Sequence, residues 1–400
     1  MTKNQIITLA TGLLAATHAS FANEVTFGGF LSNGYMETSA NNYLADTDKG
    51  TWDFAEIGLN ATWSPVDRTI VRGQVFAFEV GPYGNFDPLV DYLFVDYNVN
   101  PAFGLRVGRV KRSEGIYTDI QDIDVARTTI LLPAGMYDAR YRDFSASVDG
   151  ASIYGNFQAG NHSFEYTAYH GEIDLAKESG VAAYALGEIA RGGIQGANLD
   201  DISANTNSGV QLWWYTPLSG LRLGSSYTYY DEFTFDVSGT IPHPQFGPLP
   251  LRIETIANAN QSRFSAEYFL GDWTFVSEYN TIKIKSTDRN TVAGVPEEWR
   301  QSQSKGYSWY LSASRRFLDK FEAGLTYAKF VNNEKRTSNP VDYQKDTQFS
   351  LRYNATDFWT LKAEFHMMDG TNRLFNQLGQ NPGPLDSKWN LIATKSTFTF

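Results

Sequence analysis

The side chains best equipped to do chemistry gather in one stretch. Between Arg109 and Arg142 stand five acids, Glu114, Asp119, Asp122, Asp124 and Asp138, and six bases, Arg109, Lys111, Arg112, Arg127, Arg140 and Arg142, with Tyr117 among them. Arg72 belongs to an earlier segment and is predicted to face the same side. Opposite charges facing each other across a narrow aqueous gap set up a transverse field that sorts solutes by size, dipole and charge sign. In contact, the same charges would pair and pin the segment. Catalytic patterns are missing. Beyond residue 22 the histidines are His162, His170, His243 and His366, none in HExxH or EF-hand spacing, and GxSxG and P-loop sequences are absent. His366 and Glu364 share a strand face at i, i+2, a spacing common in any polar interior. No enzymatic activity, metal or cofactor is expected.

The elements that must position these charges read as strands. Period-2 alternation puts Ala55, Ile57, Leu59, Ala61 and Trp63 on one face and Glu56, Gly58, Asn60 and Thr62 on the other. Trp359, Leu361, Ala363, Phe365 and Met367 alternate likewise with Thr360, Lys362, Glu364 and His366. Sixteen strands are predicted, at 25–37, 52–63, 69–80, 89–99, 104–112, 142–157, 162–172, 208–217, 220–233, 261–270, 272–286, 305–317, 320–333, 342–354, 358–369 and 386–400. Every second connection is a tight turn, as at Ser64–Arg68, Asn100–Phe103 and Leu318–Asp319; the others are long and polar. Short turns on one side and long loops on the other, with an even strand count, are the plan of a transmembrane β-barrel.

Composition agrees. Aromatics make up 15% of the 400 residues, scattered singly among polar ones, and cysteine is absent. Trp63, Phe103, Phe157, Tyr215, Phe269, Trp273, Phe317, Phe321, Tyr353, Phe358 and Trp359 gather beside the short turns, as an interfacial girdle would. Residues 1–22 have the layout of a secretory signal, with Lys3, an apolar run from Ile6 to Ala16, and Ser20 and Ala22 before a cleavage site. The organisation expected is a signal peptide over 1–22 and one barrel over 23–400. The formal net charge of −11 argues against a nucleic-acid partner.

The third long connection, 113–141, carries the charge cluster. The runs Val107-Gly108-Arg109-Val110-Lys111-Arg112, Glu114-Gly115-Ile116-Tyr117, Asp122-Ile123-Asp124-Val125-Ala126-Arg127, Ile130-Leu131-Leu132-Pro133 and Tyr141-Arg142-Asp143 resemble the strand-5 and inward-loop region of proteobacterial porins. The likeness is greatest to a branch related to the general and phosphate-type porins, and it covers about fifty residues. The final Phe400 is similar to the closing signature of outer-membrane proteins, although Thr394 and Ser396 stand at outward positions that are usually more apolar.

The resemblance implies an all-β, antiparallel 16-strand barrel in the bacterial outer membrane, usually a homotrimer, with the third loop folded into the lumen against basic wall residues. The constriction would comprise Arg72, Arg109, Lys111, Arg112, Glu114, Tyr117, Asp119, Asp122, Asp124, Arg127, Asp138, Arg140 and Arg142, with Arg109 the first choice. Ile130–Pro133 is expected to anchor the loop. Tyr117, Tyr137 and Trp213 form a weaker candidate slide for sugars. Loop 173–207 contains a short helix at 182–191, and Pro242, Pro244, Pro248 and Pro250 should stiffen the fifth loop. The expected function is a passive, porin-type channel for small hydrophilic solutes or ions, with outer-membrane lipid or lipopolysaccharide around it. The alternative is a non-conducting receptor or adhesin barrel acting through its long loops.

Overall fold

The computed structural model describes residues 25–374, 381 and 383–400; the signal segment predicted over 1–22 lies outside them. Sixteen antiparallel strands close on themselves. They are β1 (Val25–Thr38), β2 (Phe54–Val66), β3 (Thr69–Val80), β4 (Leu89–Asn100), β5 (Phe103–Lys111), β6 (Ser147–Ala159) and β7 (His162–Glu172). Strand β8 has two segments, Gln195–Ala204 and Thr206–Tyr215, both paired with β9 (Leu221–Ile241). Then follow β10 (Leu249–Leu270), β11 (Trp273–Val292), β12 (Arg300–Phe317), β13 (Phe321–Val331), β14 (Tyr343–Thr356), β15 (Trp359–Gly370) and β16 (Lys388–Thr399). The seam joins β1 to β16, from Phe30 opposite Thr399 to Thr38 opposite Leu391.

The alternation seen in the sequence becomes two environments. On β15, Thr360, Lys362, Glu364 and His366 are buried inside the barrel, while Phe365 and Met367 lie exposed outside. An outward apolar face on every side of a closed sheet is suited to lipid, and closure at the β1–β16 seam pairs the two edges the sheet would otherwise expose. No helix among the described residues is long and apolar enough to cross a membrane. Beside the short turns, girdle rings stack in pairs: Phe321 on Tyr353 at 4.6 Å and Trp359 on Phe398 at 5.4 Å. Ser396, polar on an outward face, accepts the Trp359 indole N–H at 3.0 Å, which explains its departure from the apolar pattern.

Several predicted bounds need correction. Arg142–Ser145 forms a helical turn, so the strand expected from 142 begins at Ser147. The strand expected at 208 begins at Gln195, and β9 and β10 run on to 21 and 22 residues, absorbing most of the predicted fifth loop. Outside the membrane both faces of a strand meet water, so the apolar–polar alternation that marks a strand fades there. Pro242, Pro244 and Pro248 sit at the tip of this hairpin, and Pro250 lies beside it, opposite Thr240, where proline does least harm to a ladder. The helix Gly180–Arg191 is present and packs Ala182 against Leu199, Ile202 and Val237.

Candidate functional site

Strand β5 ends at Lys111, and the chain then leaves the wall until β6 begins at Ser147. Hydrogen bonds tie this connection to inward-facing side chains on β3, β4, β8 and β10–β16. Gly115 makes one close approach possible. Its φ is +67°, and a Cβ there would lie 2.3 Å from the Glu278 carboxylate. With that space open, Ile116 N donates to Glu278 at 3.0 Å and Gln211 donates to the Gly115 carbonyl at 2.7 Å. Tyr137 and Tyr310 hydroxyls donate to the other Glu278 oxygen.

A second anchor is Glu364, whose carboxylate accepts the Ile130 and Leu131 amides at 2.5 and 3.0 Å and Gln348 Nε2 at 2.7 Å. His366 stands behind it, with Nε2 3.2 Å from Glu364 and Nδ1 2.9 Å from Asp346. Ile130 and Leu131 also join an apolar cluster with Met36, Phe76, Trp389 and Leu391, as expected of an anchor.

The acids of the connection are mostly spent on pairing. Asp122 takes Gln74 at 2.5 Å, Lys111 at 3.1 Å and Arg142 at 3.8 Å. Asp124 takes Lys395 at 2.9 Å, Arg127 at 3.3 Å, Lys362 at 3.6 Å and the Thr397 hydroxyl at 2.6 Å. Asp138 pairs with Arg140 at 2.6 Å and Arg373 at 2.5 Å. Glu114 pairs with Arg112, whose guanidinium also meets the Tyr230 hydroxyl and the Phe144 carbonyl. Arg142 reaches Asp91 at 2.6 Å. Burial by itself would raise each of these four carboxyls. The cations outweigh it and hold Glu114, Asp122, Asp124 and Asp138 below the ordinary carboxylate range.

What remains open is a cavity of about 490 Å³ between the connection and the wall of β1–β5. Arg72, Arg106 and Lys111 line it from the wall; Asp119, Asp122 and Asp124 line it from the connection. Arg106 is matched by Asp96 at 2.9 Å and Lys111 by Asp122. Arg72 and Asp119 are exposed to the cavity and form no ion pair with any described residue.

Arg109, the first-choice constriction residue, is not at this site. It follows Leu105 and Val107 on the outward face, lies opposite exposed Leu93, and pairs outside the barrel with Asp149 at 3.6 Å. Its alternation parity places it there. The sugar-slide candidates also fall away: Tyr137 and Trp213 are buried with Ile116, Val276 and Tyr310, and Tyr117 packs edge-on to Tyr137. Asp91, Arg106, Arg263, Glu278, Lys362, Arg373 and Lys395 are further members of the site that the charge cluster at 109–142 did not reveal. Most of these were legible as charges on the polar face of a strand; Asp91 was not, because the β3–β4 register shifts there and adds an inward residue.

No protein-family model matches the chain, and no curated protein matches it. Solved structures do. The outer-membrane expressed OmpT of Vibrio cholerae is 14% identical with a TM-score of 0.56, over 96% of this chain and 99% of that one. The outer-membrane channel DcaP of Acinetobacter baumannii is 10% identical with a TM-score of 0.56, over 96% and 100%. The anion-selective porin from Comamonas acidovorans is 12% identical with a TM-score of 0.50, over 94% and 100%. At such identities the likeness is one of fold, that of 16-stranded outer-membrane barrels.

Replacing Glu364 with Ala leaves the Ile130 and Leu131 amides without their side-chain acceptor and takes one of two acceptors from Gln348. A loss of about 2–3 kcal/mol of local stability is expected, read as faster hydrogen exchange over 128–134; unchanged exchange would mean the anchor contributes nothing. Because the four paired carboxyls titrate below their unfolded values, their contribution is complete above roughly pH 4 and is lost only as pH falls through the lowered folded values. Protease protection of 113–141 should therefore show no loss between pH 7 and about 5 and fail only in stronger acid. Release between pH 7 and 5 would contradict the pairing.

Proposed function

We propose that the protein is a passive, non-enzymatic diffusion channel of the bacterial outer membrane for small hydrophilic solutes or ions, with 113–141 folded into the lumen as its constriction. The observation that carries this reading is the cavity beside that segment, which Arg72 on the wall and Asp119 on the segment share, neither of them ion-paired with a described residue. A field between fixed opposite charges, in a gap walled by low-dielectric protein, orders water and selects solutes. His366, Asp346 and Glu364 form an imidazole–carboxylate grouping in the interior with both ring nitrogens engaged, and this reading gives them an anchoring role alone.

The outward face of β3–β6 supports assembly with further copies, as a homotrimer. Its residues are small and aliphatic, including Val71, Gly73, Val75, Val95 and Val107, and the Arg109–Asp149 pair stands among them. A charged pair within the apolar band of a membrane is costly against lipid. Against another copy of the chain it is shielded and can find further partners.

Refolded protein in a planar bilayer is expected to give stable conductance steps, grouped in threes. Arg72→Ala should shift the reversal potential toward cations and Asp119→Asn toward anions; shifts of the same sign, or none, would remove the field from the mechanism. A folded barrel that never conducts would favour the receptor reading. Arg109→Ala is expected to leave unit conductance unchanged while weakening the trimer on native electrophoresis. Altered ion selectivity in that variant would return Arg109 to the pore.

A further inference from the structure

The outward wall of β11–β14 carries charge of one sign in an unfavourable arrangement. Lys283 on β11 lies directly opposite Lys305 on β12, and Lys329 on β13 directly opposite Lys345 on β14. All four point outward: their neighbours Ile282 and Ile284, Ser308 and Tyr310, Thr326, and Gln344 face the interior. Like charges directly opposite on one sheet face repel and destabilise the pairing. Lys305 and Lys345 are partly relieved by Glu334 at 3.0 Å and Asp369 at 2.8 Å, whereas Lys283 and Lys329 have no ion pair with a described residue. Lys329 lies 5.7 Å from the Tyr307 ring, reaching up the wall. That a chain of net charge −11 places two lysine pairs here implies an anion from outside the protein.

Their height identifies the layer. These lysines stand about ten residues above the short turns, roughly 20–30 Å at about 3.3 Å per residue and a ~40° tilt. That is the far edge of the apolar band, on the side of the long loops.

A second feature lies on the same strands, below the lysines. Small residues, with Ala266 opposite Ser277 and Ala313 opposite Phe275, leave a groove of about 470 Å³ on the outward face. Leu311 and Tyr327, opposite each other, form its far wall. Tyr327 is two residues from Lys329, so groove and cations are continuous.

We propose that this face binds a phosphorylated lipid of the external leaflet, with an acyl chain in the Ala266–Ser277–Ala313 groove and phosphate between the lysines. Lys305 and Lys329, the nearest members of the two pairs, lie roughly 14 Å apart, from four residues and one strand spacing, which suits a headgroup with two phosphates. This rests on the membrane placement in the channel reading and not on conductance.

The test uses the refolded full barrel in detergent, with bis-phosphorylated lipid A, the same lipid stripped of both phosphates, and inorganic phosphate as probes, bound complexes being read by native mass spectrometry. At about fivefold per lysine near an anionic surface, Lys283→Gln/Lys305→Gln/Lys329→Gln should weaken binding of the phosphorylated lipid about 100-fold and spare the stripped one. Ala313→Phe fills the groove from the lipid side, where bulk is tolerated, and should weaken both lipids. The proposal is overturned if both lipids bind the unaltered barrel equally, if the lysine variant binds as before, or if inorganic phosphate binds as tightly as the lipid. Bilayer conductance of the same variants, expected unchanged, separates a failure here from a failure of the channel reading.

Discussion

Within an apolar layer no water is available to satisfy a backbone N–H or C=O, and the structure follows from that constraint. Each strand must find both neighbours, so β1 must meet β16 and the sheet must close. Closure with sixteen strands gives a lumen wider than side chains can fill. The connection from Lys111 to Ser147 then meets an interior whose wall is already polar, because the alternation that turns Leu361, Ala363 and Phe365 outward turns Lys362, Glu364 and His366 inward. The inward charges are a by-product of the outward apolar face, and the connection uses them.

That use has an energetic logic. A buried carboxylate is costly unless paired and hydrogen-bonded. Asp122, Asp124 and Asp138 each meet two or more cations, and Glu364 meets two amides and an amide side chain. Removing one partner strands the rest, so the arrangement is held by mutual dependence more than by the strength of any one contact. Most of the wall strands that hold the connection lie in β10–β16, and the cavity opens toward β1–β5, where Arg72 and Asp119 form no ion pair with any described residue. Fixed and free acids thus come from the same short run of residues.

How much of this was legible depends on which rule each residue obeys. The strands followed period 2 and were read in the right number and order. The upper parts of β8, β9 and β10 were not, since sequence such as Asp200-Asp201-Ile202-Ser203 has water on one side and a helix on the other. Clustering of charge at 109–142 marked the segment whose acids pair with the inward wall, and the apolar run Ile130–Pro133 marked residues that pack against it. Arg109 was misplaced because resemblance was allowed to outweigh parity: Leu105, Val107 and Arg109 share a face, and the first two are plainly outward. The choice between paired and unpaired acids was beyond reach, because it turns on residues more than two hundred positions away, such as Lys362 and Lys395.

The seam has a consequence for how the molecule comes into being. Phe30 is hydrogen-bonded into a ladder with Thr399, and Gly29 exchanges backbone bonds with Phe400. Contacts so remote in sequence form slowly, because the loop entropy is spent before any bond repays it. Nearly the whole chain must be synthesised before the ladder can shut, and until then alternating strands offer open edges to one another and to other chains. The nascent polypeptide therefore has a long unclosed lifetime. Its exposed edges over that interval, more than the stability of the finished barrel, set its tendency to aggregate.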